Sequence, residues 1–458
     1  MLLVLCGAIF LDALNVSMMG VALPSIGSDL GMSTSSLQWV VSAYVLGYGG
    51  FLLLGGRVAD LIGRRQVFLA SLVVFIVFAG LGGFANDGPL LIAVRFITGV
   101  SAAFTTPAGL SILTTSFDEG PARNRAITIY SATGAAGFSL GLVLGGLLTE
   151  ISWRWVFMVP VVLAVGILLA AIPLIPRSSE PRTLGGGFDI AGAVTATGAL
   201  LLLVYTLVEA PNVGWVSART LGSLVAVAAL LTVFTTIESR VSNPMLRLGI
   251  LRSGSLIRAN IAAMSLLGAW VGAQFIAILY MQNLRGWSAI ETGLAVFPAG
   301  LIVALLATRL AGPLVARFGT ALPILAGMVS GVIGYALLLR LGADSNYLTV
   351  LLPAFVFNGL AFALSYGPVT MAATNGIAPE EHGLAGGLIN TSFQIGPAIV
   401  LAVATAVNDS FGSETSPAAL LDGYRAAIVV SLIVAVIGAG TILSGFRFGR
   451  ATSPVPAS

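Results

Sequence analysis

Asp12 interrupts a long apolar run, "LLVLCGAIFLDALNVSMMGVALP", near the start of the chain. Charging a carboxyl in hydrocarbon costs at least about 2.5–3.5 kcal/mol, so such an acid must face a cavity or a partner. A carboxyl that takes and releases a proton there could tie proton entry at one membrane face to solute exit at the other. It could equally be a buried group bonded to neighbours such as Asn15, with no part in transport. Arg95 is the one arginine set inside an apolar run. It could pair with Asp12, line a cavity as fixed positive charge, or be held by carbonyls and hydroxyls of the fifth helix.

A second group of charges crowds "GGRVADLIGRR", residues 55–65, where Arg57, Asp60, Arg64 and Arg65 fall together in a chain only 9% charged. Gly56 and Gly63 would permit close backbone approach and a tight turn. Asp60 would accept hydrogen bonds from helix N-terminal amides or an arginine. Arg64 and Arg65 would hold the joint in the cytoplasm and meet anionic lipid headgroups. An ordinary topogenic loop needs only the arginines, not Asp60 and two glycines.

The elements that must position these residues follow from composition. The chain has 458 residues, 57% of them hydrophobic, with mean hydropathy +1.02. A bilayer, not water, is the solvent that suits so much apolar surface. The 56 glycines fit membrane helices that pack through small residues. A net charge of +3 does not indicate nucleic-acid binding, because the arginines are scattered among loops with no basic face. One cysteine and one histidine exclude a disulfide framework and a Cys/His metal cluster. No Walker A sequence is present, so no nucleotide cofactor is expected. The first apolar run has no basic n-region or cleavage site and reads as a retained span.

About 20 apolar residues cross the hydrocarbon core as a helix. That window gives fourteen spans, near 2–24, 37–56, 66–85, 89–114, 126–148, 153–175, 188–208, 219–237, 259–282, 292–311, 321–340, 347–372, 383–407 and 425–446. With a cytoplasmic N-terminus, fifteen arginines fall at inner loops or helix ends and five outside (Arg154, Arg219, Arg285, Arg340 and Arg425). Both termini are therefore expected in the cytoplasm. "GRVADLIG" (56–63) and "GPLVARFG" (312–319) are weakly alike at an offset of 256, as are "RFITGVSAAF" (95–104) and "FVFNGLAFAL" (355–364) at 260. The pattern predicts an all-α membrane protein of two six-helix bundles, 1–176 and 258–458, with two helices inserted across 177–257.

With these residues in view, the chain resembles the major facilitator superfamily. The carriers are Gly56, Asp60, Gly63, Arg64 and Arg65 between helices 2 and 3. "LDALNVSMMGVALPSI" (11–26), "RFITG" (95–99), "GFSLGLVLGG" (137–146), "SWRWVF" (152–157) and "FDIAGA" (188–193) resemble its fourteen-helix drug:proton antiporter branch. Leu142 stands where that branch has a proline, Val159-Pro160 where it has Asn-Pro, and Ala316 where the first half has Asp60.

The resemblance implies alternating access about a midplane cavity, with the 55–65 joint as a cytoplasmic gate. It implies proton coupling through Asp12 with Arg95, and no cofactor beyond the proton gradient. Gly137, Gly141, Gly145 and Gly146 would make helix 5 a gating helix that packs closely and slides. Cavity walls would come from helices 1, 4, 9 and 12: Asn15 and Met19 on the face of Asp12, Trp270 and Gln274 one turn apart, and Asn358, Phe362 and Tyr366 at i+4 steps. Such aromatic and thioether surfaces suit varied amphipathic molecules. The implied function is export of hydrophobic or amphipathic drugs across the inner or plasma membrane. Export of a dedicated metabolite or lipid and proton-coupled import are the rival transport readings. A membrane sensor would need no titrating acid, and an intramembrane enzyme would need a second catalytic acid that Asp12 lacks.

Overall fold

The computed structural model describes residues 1–117, 121–176, 190–241, 249–250, 253–375, 377, 382–411 and 416–448. Among these, fourteen long α-helices follow one another: α1 (Leu2–Leu30), α2 (Thr34–Ile62), α3 (Arg64–Gly83), α4 (Gly88–Ser116), α5 (Pro121–Ile151), α6 (Trp155–Leu174), α7 (Ile190–Val213), α8 (Ala218–Glu238), α9 (Gly254–Leu279), α10 (Ala289–Phe318), α11 (Ala321–Leu338), α12 (Leu352–Thr374), α13 (His382–Ser410) and α14 (Pro417–Phe448). Eleven helical stretches among the described residues are long and apolar enough to cross a membrane, while α5 and α7 contribute shorter apolar stretches. In lipid, backbone groups can be satisfied only within the chain, which is why such runs become helices.

Local chemistry sets the helix ends. Ser33, Asp87, Ser217 and Ser253 cap helix N-termini with their side chains, and Ser288 forms a capping box with Glu291. The charged stretch expected as a loop is instead the last turns of α2, which continues through Gly56 and Asp60 to Ile62. Nothing in those residues breaks a helix until Gly63, whose φ of 118° favours glycine. Gly319, with φ of 72°, ends α10 in the same way, at the position the weak repeat pairs with Gly63.

The neighbour pattern α1–α5, α2–α4, α3–α4, α3–α6, α1–α6 and α1–α4 recurs as α9–α13, α10–α12, α11–α12, α11–α14, α9–α14 and α9–α12. The two sets of six meet along α2–α13 and α5–α10. Between them in sequence, α7 leans on α2 and α13, and α8 packs on α7. Thr197 of α7 donates to the Gly50 carbonyl of α2 at 2.9 Å.

The core has a telling shape. One hydrophobic cluster joins both sets, running from Leu14 to Ile26 on α1 and from Ala269 to Met281 on α9 and its extension. Towards the chain's N-terminus it gives way to two separate clusters, one around Leu5, Phe68 and Leu113, the other around Leu256, Met328 and Val369. The sets are packed together at the end far from Met1 and keep separate cores at the near end.

Candidate functional site

Asp12 lies ten residues into α1, about 15 Å along the helix. The Tyr44 hydroxyl of α2 donates to its carboxylate. Arg95, only 2% exposed on α4, donates from Nη1 to Asn15 Oδ1 at 2.7 Å and from Nε to the Val40 carbonyl at 3.1 Å. Its guanidinium sits 4.4 Å above the Tyr44 ring. One tyrosine thus touches both ionisable groups, with its hydroxyl on the acid and its π-face under the cation.

The expected direct pairing of Asp12 with Arg95 is not formed. Arg95 uses its donors on Asn15, one helical turn beyond Asp12, and on Val40 of α2. Asn15 is therefore the partner of Arg95 rather than of Asp12, and the carbonyl holding the arginine belongs to α2, not α5. This arrangement needs α2 and α4 in close contact, and glycine supplies it. A Cβ at Gly47 would lie 2.9 Å from the Val100 nitrogen, and one at Gly99 2.9 Å from the Tyr44 carbonyl carbon. Gly56, expected to serve close approach, would meet only Pro107 at an ordinary 3.9 Å; the tight contact belongs to Gly55, where a Cβ would lie 2.9 Å from the Ala103 carbonyl carbon.

An aromatic ladder runs from Phe138 of the first set into the second. Trp270 lies 5.0 Å from Phe138 of α5 and 4.7 Å from Phe362. Phe362 stacks on Tyr366 at 4.9 Å, and Tyr366 on Phe393 of α13 at 4.7 Å. Tyr366 is 40% exposed, so the ladder is partly uncovered there. Gln274 and Asn358 border a cavity of about 10 Å³ with Trp270, Val296, Leu338 and Phe355, room for roughly one water. The buried Asn358 Oδ1 has no hydrogen-bond partner among the described residues. Met19 is 1% exposed, inside the core shared by both sets.

The α5 glycines divide between two neighbours. A Cβ at Gly137 would lie 2.6 Å from the Phe10 carbonyl oxygen, at Gly141 2.8 Å from that of Leu14, and at Gly145 2.8 Å from Met18 Cα. These three fasten α5 to α1. Gly146 faces the other set, where its Cβ would lie 2.7 Å from Ile290 Cα of α10. In the opposite direction, Gly300 packs on Ser139, and Gly293 on the carbonyl of Leu142, the residue at the proline position. Further ties join the sets at the same end: Gln282 Nε2 donates to the Val21 carbonyl at 3.0 Å, and the Glu150 carboxylate accepts from the Ile290 amide at 3.4 Å. Gln282 sits in a π-helical turn, Tyr280–Leu284, that extends α9.

At the charged joint, the Arg65 cation expected to meet lipid headgroups instead donates to the carbonyls of Ile175 at 2.9 Å and Ile172 at 2.8 Å. Those carbonyls close α6, and a cation there satisfies orphan acceptors and opposes the helix dipole. Arg64 is half-buried in the first turn of α3. The side chain of Asp60 lies outside the described residues. Sequence reasoning missed Tyr44, Tyr48, Phe138 and Phe393. "YVLGY" placed Tyr44 and Tyr48 one turn apart on α2, and Tyr48 donates to Thr106 Oγ1 at 3.1 Å.

The model of the Major Facilitator Superfamily matches residues 5–401 and 261–456. The puromycin resistance protein pur8 of Streptomyces alboniger is 35% identical over 450 residues, covering 95% of this chain and 88% of that one. The cephamycin export protein CmcT of Amycolatopsis lactamdurans is 36% identical over 433 residues, covering 93% and 88%. A bacterial homologue of the human lysosomal transporter Spinster, solved inward-facing and occupied, superposes with a TM-score of 0.70 at 16% identity, over 99% of this chain and 98% of that one. The chain belongs to the major facilitator superfamily. It is a multi-pass membrane transporter, and its relatives include proteins named for puromycin resistance, cephamycin export, and tetracenomycin C resistance and export.

Proposed function

We propose that this chain exports hydrophobic or amphipathic drugs across the cell membrane in exchange for protons. Its fourteen helices all span, and both termini lie in the cytoplasm. The bundles 1–176 and 258–458 rock by alternating access, and 177–257 rides between them. The observation that carries the reading is the Asp12–Tyr44–Arg95–Asn15 cluster, a carboxyl inside a membrane helix bonded to an uncharged hydroxyl rather than to the nearby cation. An acid so held can be neutral or charged without breaking an ion pair, which is what a proton carrier requires. Arg95 is the fixed charge, while Trp270, Phe362 and Tyr366 offer a stacking wall to the drug, with Gln274 and Asn358 as polar points. Packing together far from the termini, with separate cores near them, supports a cavity open to the cytoplasm in this state.

A second reading is export of one dedicated compound, favoured by relatives named for single antibiotics such as cephamycin and tetracenomycin C. Both readings meet one test. Purified protein in liposomes with a trapped pH dye and an imposed pH gradient is given lipophilic cations and neutral antibiotics. Substrate-triggered proton movement in the parent, lost in Asp12→Asn, is the expected result. Equal movement in both proteins would remove Asp12 from the mechanism, and movement with one compound alone would favour the dedicated exporter.

A further inference from the structure

The two seams between the helix sets differ in what they bury. Along α5–α10, glycines meet backbone, as described above. Along α2–α13, polar groups are shut in without partners. Gly49 marks the register there, since its Cβ would lie 2.7 Å from Gln394 Cβ. Eleven residues make three helical turns to within about 20°. Going eleven back from Gly49 on α2 reaches Gln38, and eleven forward from Gln394 on antiparallel α13 reaches Thr405. The two residues occupy one level on facing sides, with Ser42 one turn nearer the middle. Leu46 sharing a cluster with Ala398 and Ala402 fits the same register.

Gln38, Ser42 and Thr405 are 2%, 0% and 1% exposed. Among the described residues, Gln38 Nε2, Ser42 Oγ and Thr405 Oγ1 have no hydrogen-bond partner. All three lie towards the start of α2 and the end of α13, the end where the sets are packed together. A buried polar group without a partner weighs against the arrangement that buries it, by roughly 5- to 150-fold in an equilibrium constant. Opening the seam to water removes that penalty.

We propose that the α2–α13 seam is a gate on the face opposite the termini, and that Gln38, Ser42 and Thr405 keep the shut gate near balance, unpaired when it is closed and hydrated when it opens. Tight glycine contacts along α5–α10 hold the sets together, and the polar seam lets them part. This rests on the alternating-access reading and is independent of any proton role for Asp12.

The test places a reporter at Ser42→Cys in a Cys6→Ala background and exposes it to a membrane-impermeant maleimide from the face opposite the termini. The expected result is labelling in the parent reporter, slowed at least fivefold by Gln38→Met with Thr405→Val. Equal labelling rates, or a reporter that never reacts, would overturn the proposal. Thr405→Val alone, matched in shape, must slow labelling in the same direction should the double variant fail to fold. Labelling does not depend on proton movement, so an opening seam in a protein without proton exchange would break the antiport reading and leave this one standing.

Discussion

Where the first helix set carries Arg95, the second carries Phe355 at the repeat offset of 260. The first set buries a charged cluster, and the second carries all of an aromatic stack but its first ring, Phe138. The difference teaches what each kind of group needs. A buried cation requires several partners in fixed places, and Arg95 draws them from two other helices: Asn15 from α1, and Val40 and Tyr44 from α2. Aromatic rings need only one another, and their stack runs from Phe138 through Trp270 to Phe393 without a hydrogen bond between its members. On the proposed function, the charged cluster is the fixed wall and the stack the one that receives varied shapes.

Four substitutions would break or sharpen that contrast. Asp12→Asn has the largest expected effect: substrate-driven proton movement falls to background while aromatic compounds still bind, read by ligand-quenched Trp fluorescence. Loss of both together would mean that the walls do not work separately. Arg95→Met leaves the Asn15 carboxamide and the Val40 carbonyl without their donor. It should cost about 1–3 kcal/mol, seen as a lower Tm in detergent; an unchanged Tm would show the cluster contributes nothing to folding. Trp270→Ala removes two ring contacts and should weaken aromatic substrates about tenfold, with protons moved per substrate unchanged. A changed ratio would join the aromatic wall to the proton path. Arg65→Gln is the smallest, about 0.5–1 kcal/mol from the end of α6, visible as faster amide exchange near Ile172 and Ile175. No change there would return Arg65 to the lipid surface.

Much of this was legible in the sequence. Asp12 and Arg95 stood out because a charge in an apolar run is costly, and Gly63 because it closes a charged stretch before a new helix. The glycines of α5 showed their spacing, although which neighbour each meets did not. Tyr44 did not stand out, since a tyrosine in an apolar run is unremarkable until its hydroxyl is found on an acid. The charged joint was misread as a loop because charge suggests an aqueous connection, whereas a helix can carry charge on its exposed last turns.

Composition and periodicity determined by themselves that the chain lives in a bilayer as a bundle of helices, because hydrocarbon leaves the backbone no other solution. They also fixed where charge had to be justified. Only the tertiary structure decided that Tyr44 stands between Asp12 and Arg95, that Gly55 rather than Gly56 makes the close contact, and that Gly49 meets Gln394 across the α2–α13 seam. Those facts depend on how helices distant in sequence turn and slide against one another, which pairwise packing sets and no single stretch of residues encodes.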